Sequence, residues 1–184
     1  VQVGAIELMV DCLVTNTHVQ LVGPRLLNID GSIQAQGSRL GGQWWKSEFQ
    51  RNVSFVSGAA MLMRRADYVR LGGFDERFRF YNEDVDLCKR ITDAGGGIVY
   101  LPQAQVIHFG GGSGRKTGFA IEHSRLGSVH FVLKHYGRSL AMLVAGLFWL
   151  EAQIASLVYA VLSRPDLSKA FRKVSKGVWQ NAMS

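Results

Sequence analysis

The sequence predicts an α/β domain followed by hydrophobic, basic helices. Short apolar runs suited to strands, at residues 19–23, 55–63 and 98–101, alternate with segments whose apolar residues recur at helical spacing. Residues 140–162 then form a long run with few polar side chains. With 184 residues and 47% hydrophobic content, the chain is long enough for one ordinary domain with a buried core.

The first fifty residues open with a predicted amphipathic helix at 4–13. A short strand at 19–23 follows, and the Asp-Gly of residues 28–31 indicates a tight turn. Residues 32–50 are weakly patterned and are interpreted as a loop. It carries Trp44 and Trp45, which are candidates for stacking on a sugar or nucleotide face, although packing beneath the loop is the commoner fate of a tryptophan.

The middle of the chain begins with the run at 55–63, which is nearly all apolar and predicts a strand buried on both faces. Gly58 lies inside it, and an internal glycine often marks a close approach of backbone or ligand, so Gly58 and Ala59 are candidate binding residues. A short helix at 66–71 is closed by a glycine pair. A second helix starts near Glu83 and ends at the three glycines of 95–97.

Residues 72–90 combine five carboxylates with four aromatic side chains within a short distance. The mixture is typical of carboxylates held at the mouth of a hydrophobic pocket, where a general base or a metal ligand would lie. A helix with an acidic first turn, to which Glu83 and Asp84 would belong, explains part of the pattern equally well. Both interpretations stay open on the residues alone.

Two short strands, at 98–101 and 106–109, are predicted on either side of Pro102, and the second delivers His108 to its end. The loop that follows, 110–116, reads Gly-Gly-Gly-Ser-Gly-Arg-Lys. Its backbone N–H groups with Arg115 and Lys116 could close over a phosphate, although a flexible linker has the same composition. The spacing differs from that of a Walker loop.

The C-terminal third carries the whole net charge of +7, because residues 1–110 are balanced and residues 111–184 hold ten basic against three acidic residues. Basic charge beside an apolar helix favours an anionic membrane surface over nucleic acid, for which no motif is present. The run at 140–162 could span a bilayer. Glu151 at its middle and basic residues on both sides favour helices lying in or on the cytoplasmic face of the cell membrane.

The composition also limits the class of protein. Cys12 and Cys88 do not form a disulfide framework and are expected to be reduced thiols in a cytosolic setting. The chain opens on Val1 without a signal-peptide pattern, so we expect it to be part of something longer. We divide it into an α/β part at 1–120 and a helical, basic, membrane-associated tail at 121–184.

Several motifs in order resemble the family 2 glycosyltransferases, and more narrowly the bacterial rhamnosyltransferase type that builds cell-surface polysaccharide. They are Gly23-Pro-Arg-Leu-Leu-Asn-Ile-Asp-Gly31, Ser57-Gly-Ala59 with Arg64-Arg65, Gly72-Gly-Phe-Asp-Glu76 with Tyr81-Asn-Glu-Asp-Val-Asp-Leu-Cys88, Pro102-Gln-Ala104 and Ile107-His-Phe-Gly-Gly-Gly-Ser113. The resemblance covers about residues 15–138.

This resemblance implies a GT-A fold, which is a Rossmann-like α/β sandwich, and inverting transfer of a sugar from a nucleotide diphosphate. Asp84 matches the family's catalytic base, with Glu83 as its neighbour. Gly58 and Ala59 match the segment lining the donor-sugar and acceptor pocket. His108 lies where related enzymes often place a residue near the diphosphate and a divalent metal, Mg²⁺ or Mn²⁺. The expected partners are a nucleotide-sugar donor, for which the narrower resemblance suggests dTDP-rhamnose, a lipid-linked glycan acceptor and an anionic membrane.

The family's first half carries nucleotide-binding strands and a metal-binding Asp-x-Asp that this sequence does not match, so we expect the chain to be the C-terminal portion of such an enzyme, without the nucleotide-binding half. Asp84-Val-Asp86 has the right letters but belongs to the Glu-Asp motif, so we do not assign it as a metal site. The expected fold is therefore a partial GT-A sandwich followed by amphipathic and hydrophobic helices. The alternative function is a non-catalytic, membrane-attached module that binds a glycan or a protein.

Overall fold

A computed structural model of the chain describes residues 1–36, 43–109 and 117–183. The chain forms two compact units. The sheet unit comprises Val1–Asp75 and Glu83–Gly110, and the helical unit comprises Glu76–Asn82 and Gly111–Ser184. The boundary at residue 120 that the sequence suggests lies beyond this change of unit, in the first turn of a helix.

The sheet unit is a mixed α/β fold with four strands, β1 (Val19–Leu27), β2 (Arg51–Asn52), β3 (Leu62–Met63) and β4 (Gly97–Ile107). Their order in the sheet is β2-β4-β1-β3. The two long strands β1 and β4 are parallel, and the two short edge strands pair antiparallel with them. A short 3-10 turn covers Trp44–Lys46. The elements in chain order are α1 (Ala5–Thr15), β1 (Val19–Leu27), β2 (Arg51–Asn52), β3 (Leu62–Met63), α2 (Arg65–Arg70), α3 (Glu83–Asp93) and β4 (Gly97–Ile107).

Alternation along the two central strands produces a core on each face of the sheet. Val22 and Val99 pack with the buried side of α1, whereas Leu21 and Ile98 pack with the buried side of α3. Neighbouring residues of a strand point to opposite faces, so a single apolar run can serve both layers. This helix–sheet–helix arrangement confirms the predicted α/β class and is consistent with a partial GT-A domain.

The prediction of a buried strand over 55–63 is wrong. Only its last two residues, Leu62–Met63, pair with β1 as a strand, and the chain turns at 57–60. Val56 is fully buried against Gly23 of β1, where a Cβ would lie 2.5 Å from the Val56 Cβ. Most of the run is therefore a loop that Val56 anchors onto the sheet, and only its end forms a strand.

The predicted break at Pro102 is also wrong, because β4 continues through it as a single strand. The register changes between Pro24 and Arg25, which pair with Leu101 and Gln105 respectively. At that point β4 advances four residues while β1 advances one. A proline has no N–H to contribute to a ladder, and both prolines lie at this irregularity, where such a residue is tolerated.

The helical unit contains α4 (Thr117–Tyr136), α5 (Arg138–Val161) and α6 (Pro165–Met183). The predicted helices are confirmed, and a third completes the bundle. Its core combines Val129 of α4 with the apolar face of α6 and small residues of α5. Glu151, which would be costly in a bilayer, is held by Arg125 of α4 through two hydrogen bonds of 2.7 and 2.8 Å.

Segment Glu76–Asn82 belongs to the helical unit because its side chains pack on α4. The Phe78 ring meets the His130 ring edge-on, with 4.8 Å between centroids. Asn82 Nδ2 donates to the Ser124 carbonyl at 3.3 Å. Tyr81 and Asn82 both have positive φ angles, 62° and 72°, in a region that L-residues rarely adopt. Gly127 permits this turn, since a Cβ there would lie 2.6 Å from Asn82 Nδ2.

The first prediction concerns Gly23→Ala. The new methyl group would overlap Val56, which is buried and cannot withdraw, so we expect the free energy of unfolding to fall by about 3 kcal/mol. Urea unfolding followed by circular dichroism measures this change. Gly146→Ala is the matched control, because its Cβ would have an ordinary 3.7 Å contact with Trp179 and alanine favours a helix. Equal stability of the two variants would contradict this account of the Val56 anchor.

The second prediction concerns the two cysteines, which are free and buried on opposite faces of the sheet. Burial raises the pKa of the Cys88 thiol to about 12, and burial also raises the pKa of Cys12. A thiol with a raised pKa stays protonated and unreactive below that pKa. We expect neither thiol to react with a disulfide reagent at pH 8 in the native chain, and both to react after unfolding in guanidinium. Rapid native reaction of one equivalent would contradict the burial.

Candidate functional site

The candidate site is built on the first turn of α3, where Asp84 is held on both oxygens. Its Oδ2 accepts a hydrogen bond from the Gly58 N–H at 2.9 Å, and its Oδ1 accepts one from the Val85 N–H at 2.9 Å. The side chain is half-buried. Carboxylates are favoured at a helix N-terminus, where N–H groups point outward. The result is a carboxylate of fixed orientation that keeps lone pairs available to accept a proton.

The Gly58 N–H reaches Asp84 because three features hold the loop that carries it. Val56 anchors the loop on Gly23, the Ser57 carbonyl accepts the Ala60 N–H at 3.3 Å, and Gly58 itself has no side chain. A Cβ on Gly58 would lie 3.2 Å from the Asp84 Cβ, which is tighter than ordinary contacts. Gly58 and Ala59 are exposed beside the carboxylate. The structure therefore brings three predicted site residues together: Asp84, Gly58 and Ala59.

Asp86 has a different role from Asp84, although the two are separated by a single residue. Its side chain is 0% exposed and pairs with Arg90 of the same helix at 2.8 Å. Arg90 also donates to the Leu71 and Gly73 carbonyls, at 2.5 and 2.7 Å, beyond the end of α2. Positions two apart on an α-helix differ by about 200° around its axis, so these two carboxylates cannot bind one ion together.

The remaining acids and aromatics of the 72–90 stretch are distributed between the two units. Glu83 is the first residue of α3 and is half-buried. Glu76 belongs to the helical unit and is exposed. Phe74 packs edge-on against Tyr68, with ring centroids 5.9 Å apart, whereas Phe80 packs against Phe119 of α4 at 5.5 Å. The acidic first turn that the sequence left as one of two explanations is present, and Asp84 is the acid fixed beside the exposed Gly58 loop.

Trp44 and Trp45 lie in the sheet unit over Tyr100 of β4. Trp45 is 4% exposed, and its carbonyl accepts the Tyr100 hydroxyl at 2.7 Å. The Trp44 ring is half-buried and meets the Tyr100 ring edge-on, with 5.1 Å between centroids. Buried Arg25 completes this cluster by donating to the Tyr100 hydroxyl. The structure thus gives the tryptophans a packing role, and Trp44 offers the more accessible ring of the two.

His108 follows the carboxyl end of β4, where Ile107 pairs with Leu27 of β1. Its Nδ1 is 2.6 Å from Gln34 Oε1, and a cavity of about 300 Å³ beside it is lined by residues 28–30. The polar contact described for its ring is therefore with Gln34, whereas Asp84 is held by the Gly58 and Val85 N–H groups.

The metal that the resemblance implies does not find a full ligand set here. Within residues 1–36, 43–109 and 117–183, the structure shows no group of three or more His, Cys, Asp or Glu side chains able to hold a metal ion. His108 has Gln34 as its nearest described polar partner. These residues alone do not fit Mg²⁺ or Mn²⁺, which take several oxygen ligands. Arg115 and Lys116, the candidate phosphate-binding residues, lie outside the described residues.

Two residues that build the site were missed as such by sequence reasoning. Gly23 was recognised within a motif, yet its role in admitting Val56 depends on a contact with a residue far along the chain. Arg90 was not singled out, although its position four residues after Asp86 is the spacing of a helical ion pair. That spacing is the signal that could have separated the structural acid from the candidate base.

Part of this chain, including the candidate site, is similar in sequence to known proteins. Residues 43–110, which include Gly58 and Asp84, match the family model described as the N-terminal domain of galactosyltransferase. An N-acetylglucosaminyl-diphospho-decaprenol L-rhamnosyltransferase of Mycobacterium tuberculosis is 31% identical over 129 residues, covering 57% of this chain and 42% of that protein.

Two further relatives extend the same likeness. The rhamnosyltransferase WbbL of Escherichia coli is 42% identical over 57 residues, which cover 31% of this chain and 22% of that protein. A pre-mycofactocin glycosyltransferase of Mycobacterium tuberculosis is 32% identical over 134 residues, covering 65% of this chain and 27% of the relative. The chain spans less than half the length of these relatives.

The third prediction separates Asp86 from the acids around it. Asp86→Asn removes the charge that compensates Arg90 in a buried pair, so we expect a loss of about 3 kcal/mol in the free energy of unfolding. Asp93→Asn in the same helix is the control. Its partner Lys89 forms a half-exposed pair, which contributes at most about 0.5 kcal/mol. Urea unfolding of both variants provides the comparison, and similar losses would argue against a buried structural pair.

Proposed function

We propose that this chain, over the part of its length that the relatives match, is a family 2 glycosyltransferase of the rhamnosyltransferase-like type and carries the catalytic base and the acceptor side of an inverting sugar transfer. The observation that carries the proposal is the Asp84 carboxylate, fixed by the Gly58 N–H at 2.9 Å beside an exposed loop. Both residues fall within the matched segment 43–110.

The chemistry requires one carboxylate to accept a proton. The acceptor hydroxyl oxygen attacks the anomeric carbon of the donor sugar from the face opposite the diphosphate. As the new carbon–oxygen bond forms, the bond to the diphosphate oxygen breaks and the nucleoside diphosphate leaves with the electron pair. The hydroxyl proton passes to Asp84, which acts as the general base. Fixing both carboxylate oxygens in advance lowers the cost of reaching the reactive geometry.

Gly58 and Ala59 are proposed to line the pocket beside Asp84, because both residues are exposed and the Gly58 N–H binds the carboxylate. Glu83 is proposed as the neighbour that supports it. The half-buried Trp44 ring, with Trp45 beneath it, is proposed to contact a sugar face. Arg115 and Lys116 are proposed to contact the donor diphosphate.

The donor is proposed to be a nucleotide-diphosphate sugar, with dTDP-rhamnose as the first to test, and the acceptor a lipid-linked glycan. The Mycobacterium tuberculosis rhamnosyltransferase is named for an acceptor of this class, a sugar joined through a diphosphate to decaprenol. We also propose a divalent metal, Mg²⁺ or Mn²⁺, for which His108 is this chain's candidate ligand. The described residues do not complete its site, so no step above depends on it.

We locate the reaction at the cytoplasmic face of the cell membrane, with the protein peripheral or membrane-anchored. The support is the helical unit, in which α5 is long and apolar enough to cross a membrane and is mostly not buried by the described protein. Basic side chains exposed on α6 would favour an anionic lipid surface, at about 1 kcal/mol each near the membrane. These are Lys169, Arg172, Lys173 and Lys176.

The fourth prediction is that Asp84→Asn in the full-length enzyme lowers the turnover number by about 10³-fold while the fold is retained. Asparagine preserves the size of the side chain and an oxygen that can accept the Gly58 N–H, but it cannot take the proton. Transfer of radiolabelled sugar from nucleotide donors to a lipid-linked acceptor measures the rate.

Asp93→Asn serves as the control, because Asp93 lies in the last turn of the same helix and pairs with Lys89. It should retain near-normal activity. If Asp84→Asn kept more than a tenth of the parent rate, Asp84 would not be the base. If the parent protein neither bound nor turned over any nucleotide sugar, the alternative of a non-catalytic module would take the place of the enzyme.

A further inference from the structure

Helix α5 buries only small side chains completely and leaves most of its large apolar side chains exposed. Ala141, Ala145, Ala152 and Ser156 are buried in the bundle, and Val144, Phe148 and Tyr159 pack on its core while partly buried. The residues that face outward are large and apolar, and seven of them recur at alternating intervals of three and four positions. These are Leu140, Leu143, Leu147, Leu150, Ile154, Leu157 and Val161, all between 42% and 84% exposed.

This outward face of α5, defined by those seven residues, carries no charge within the described helix. The two charged residues of α5 are Arg138 at its first position and Glu151, whose carboxylate is bound by Arg125 of α4. Small residues at helix contacts and large apolar residues outside are the arrangement found where helices meet lipid. An uncharged surface of this length is otherwise rare on a soluble protein.

A second copy of the chain fits this face less well than lipid does. A coiled-coil partner would cover the seven-residue seam but would need charged or polar residues on either side of it. Here Met142, Trp149 and Val158 widen the apolar surface beyond such a seam. Basic residues also lie at both ends of the helix, with Lys134 before it, Arg138 at its first position and Arg164 after it. That charge distribution is complementary to anionic head groups.

The orientation follows from what packs against the opposite side of α5. The apolar face of α6, including Phe171, Val174 and Val178, is buried in the same core as the small residues of α5. If α5 crossed the bilayer, α6 would accompany it and bring its exposed Lys169 and Arg172 to membrane depth, where each charge is costly. With α5 lying flat, its outward face enters the lipid while these charges stay on the aqueous side of the head groups.

We propose that the outward face of α5 is a membrane-docking surface that lies in the plane of the bilayer, immersed in the acyl-chain boundary beneath anionic head groups. It names the partner of the helical unit and specifies the membrane location given under the proposed function. It does not depend on the glycosyl transfer, because it is argued from residues of the helical unit alone. Chain contacts with lipid of this kind typify interfacial amphipathic helices.

The test is flotation of the full chain with vesicles of phosphatidylcholine and phosphatidylglycerol. Leu143→Gln combined with Leu150→Gln removes two exposed side chains from the face, and we expect the partition coefficient to fall at least about tenfold. The matched control is Val10→Gln combined with Val14→Gln, which alters two exposed apolar residues of α1 and should leave partition unchanged. Because all four positions are exposed, circular dichroism should show each variant folded.

Depth and orientation are measured on the vesicle-bound parent. Alkaline carbonate should release the bound protein from the vesicles. The Trp149 fluorescence, identified as the part of the signal that Trp149→Phe removes, should be quenched by brominated lipids. Lipids brominated near the head group should quench it more strongly than lipids brominated near the bilayer centre. Resistance to carbonate would overturn the in-plane orientation. Flotation of the double variant at the parent level would overturn the docking surface, and a parent dimer that the double variant converts to monomer would assign the face to a second copy. Asp84→Asn should float like the parent, which separates this result from any failure of catalysis.

Discussion

The contact between the Gly58 N–H and the Asp84 carboxylate depends on two positions in the sheet unit where no side chain is present. Gly23 has no side chain, so Val56 can be buried directly on β1. Burial of Val56 fixes the loop that follows it, and the absence of a side chain on Gly58 lets its backbone approach α3. Close packing makes each step necessary, since an interior without voids cannot absorb an added methyl group. The chemistry proposed for Asp84 therefore rests on two glycines that have no chemistry of their own.

Sequence patterns were sufficient where structure is decided locally. The helices near 4–13, 66–71 and 83–94 were predicted within a few residues, because apolar periodicity and terminal glycines specify them. The run at 55–63 was misassigned since its conformation depends on Gly23 and Asp84, both distant in sequence. The local pattern predicts a strand break at Pro102. The proline is accommodated within β4 because the register with β1 shifts at this point, which no local pattern reveals.

For the candidate site, the sequence could indicate an acidic first turn but could not divide its acids by role. Asp84 and Asp86 look alike as letters, yet one accepts backbone N–H groups beside an exposed loop and the other is buried against Arg90. That difference arises from the direction in which each side chain leaves the helix. The basic and apolar composition of the last third likewise predicts a membrane surface, whereas the continuous exposed apolar face of α5 becomes visible only when the residues that the bundle buries are known.

The turn at Tyr81 and Asn82 constrains how this protein can change over evolutionary time. Its two left-handed residues lie against α4 at Gly127, where any side chain would meet Asn82 Nδ2 and the Tyr81 carbonyl. Alanine at position 127 would therefore displace the turn, together with the hydrogen bond from Asn82 to the Ser124 carbonyl. A substitution at position 127 is thus coupled to the backbone conformation of two residues far earlier in the chain, so these three positions are expected to change together and not one at a time.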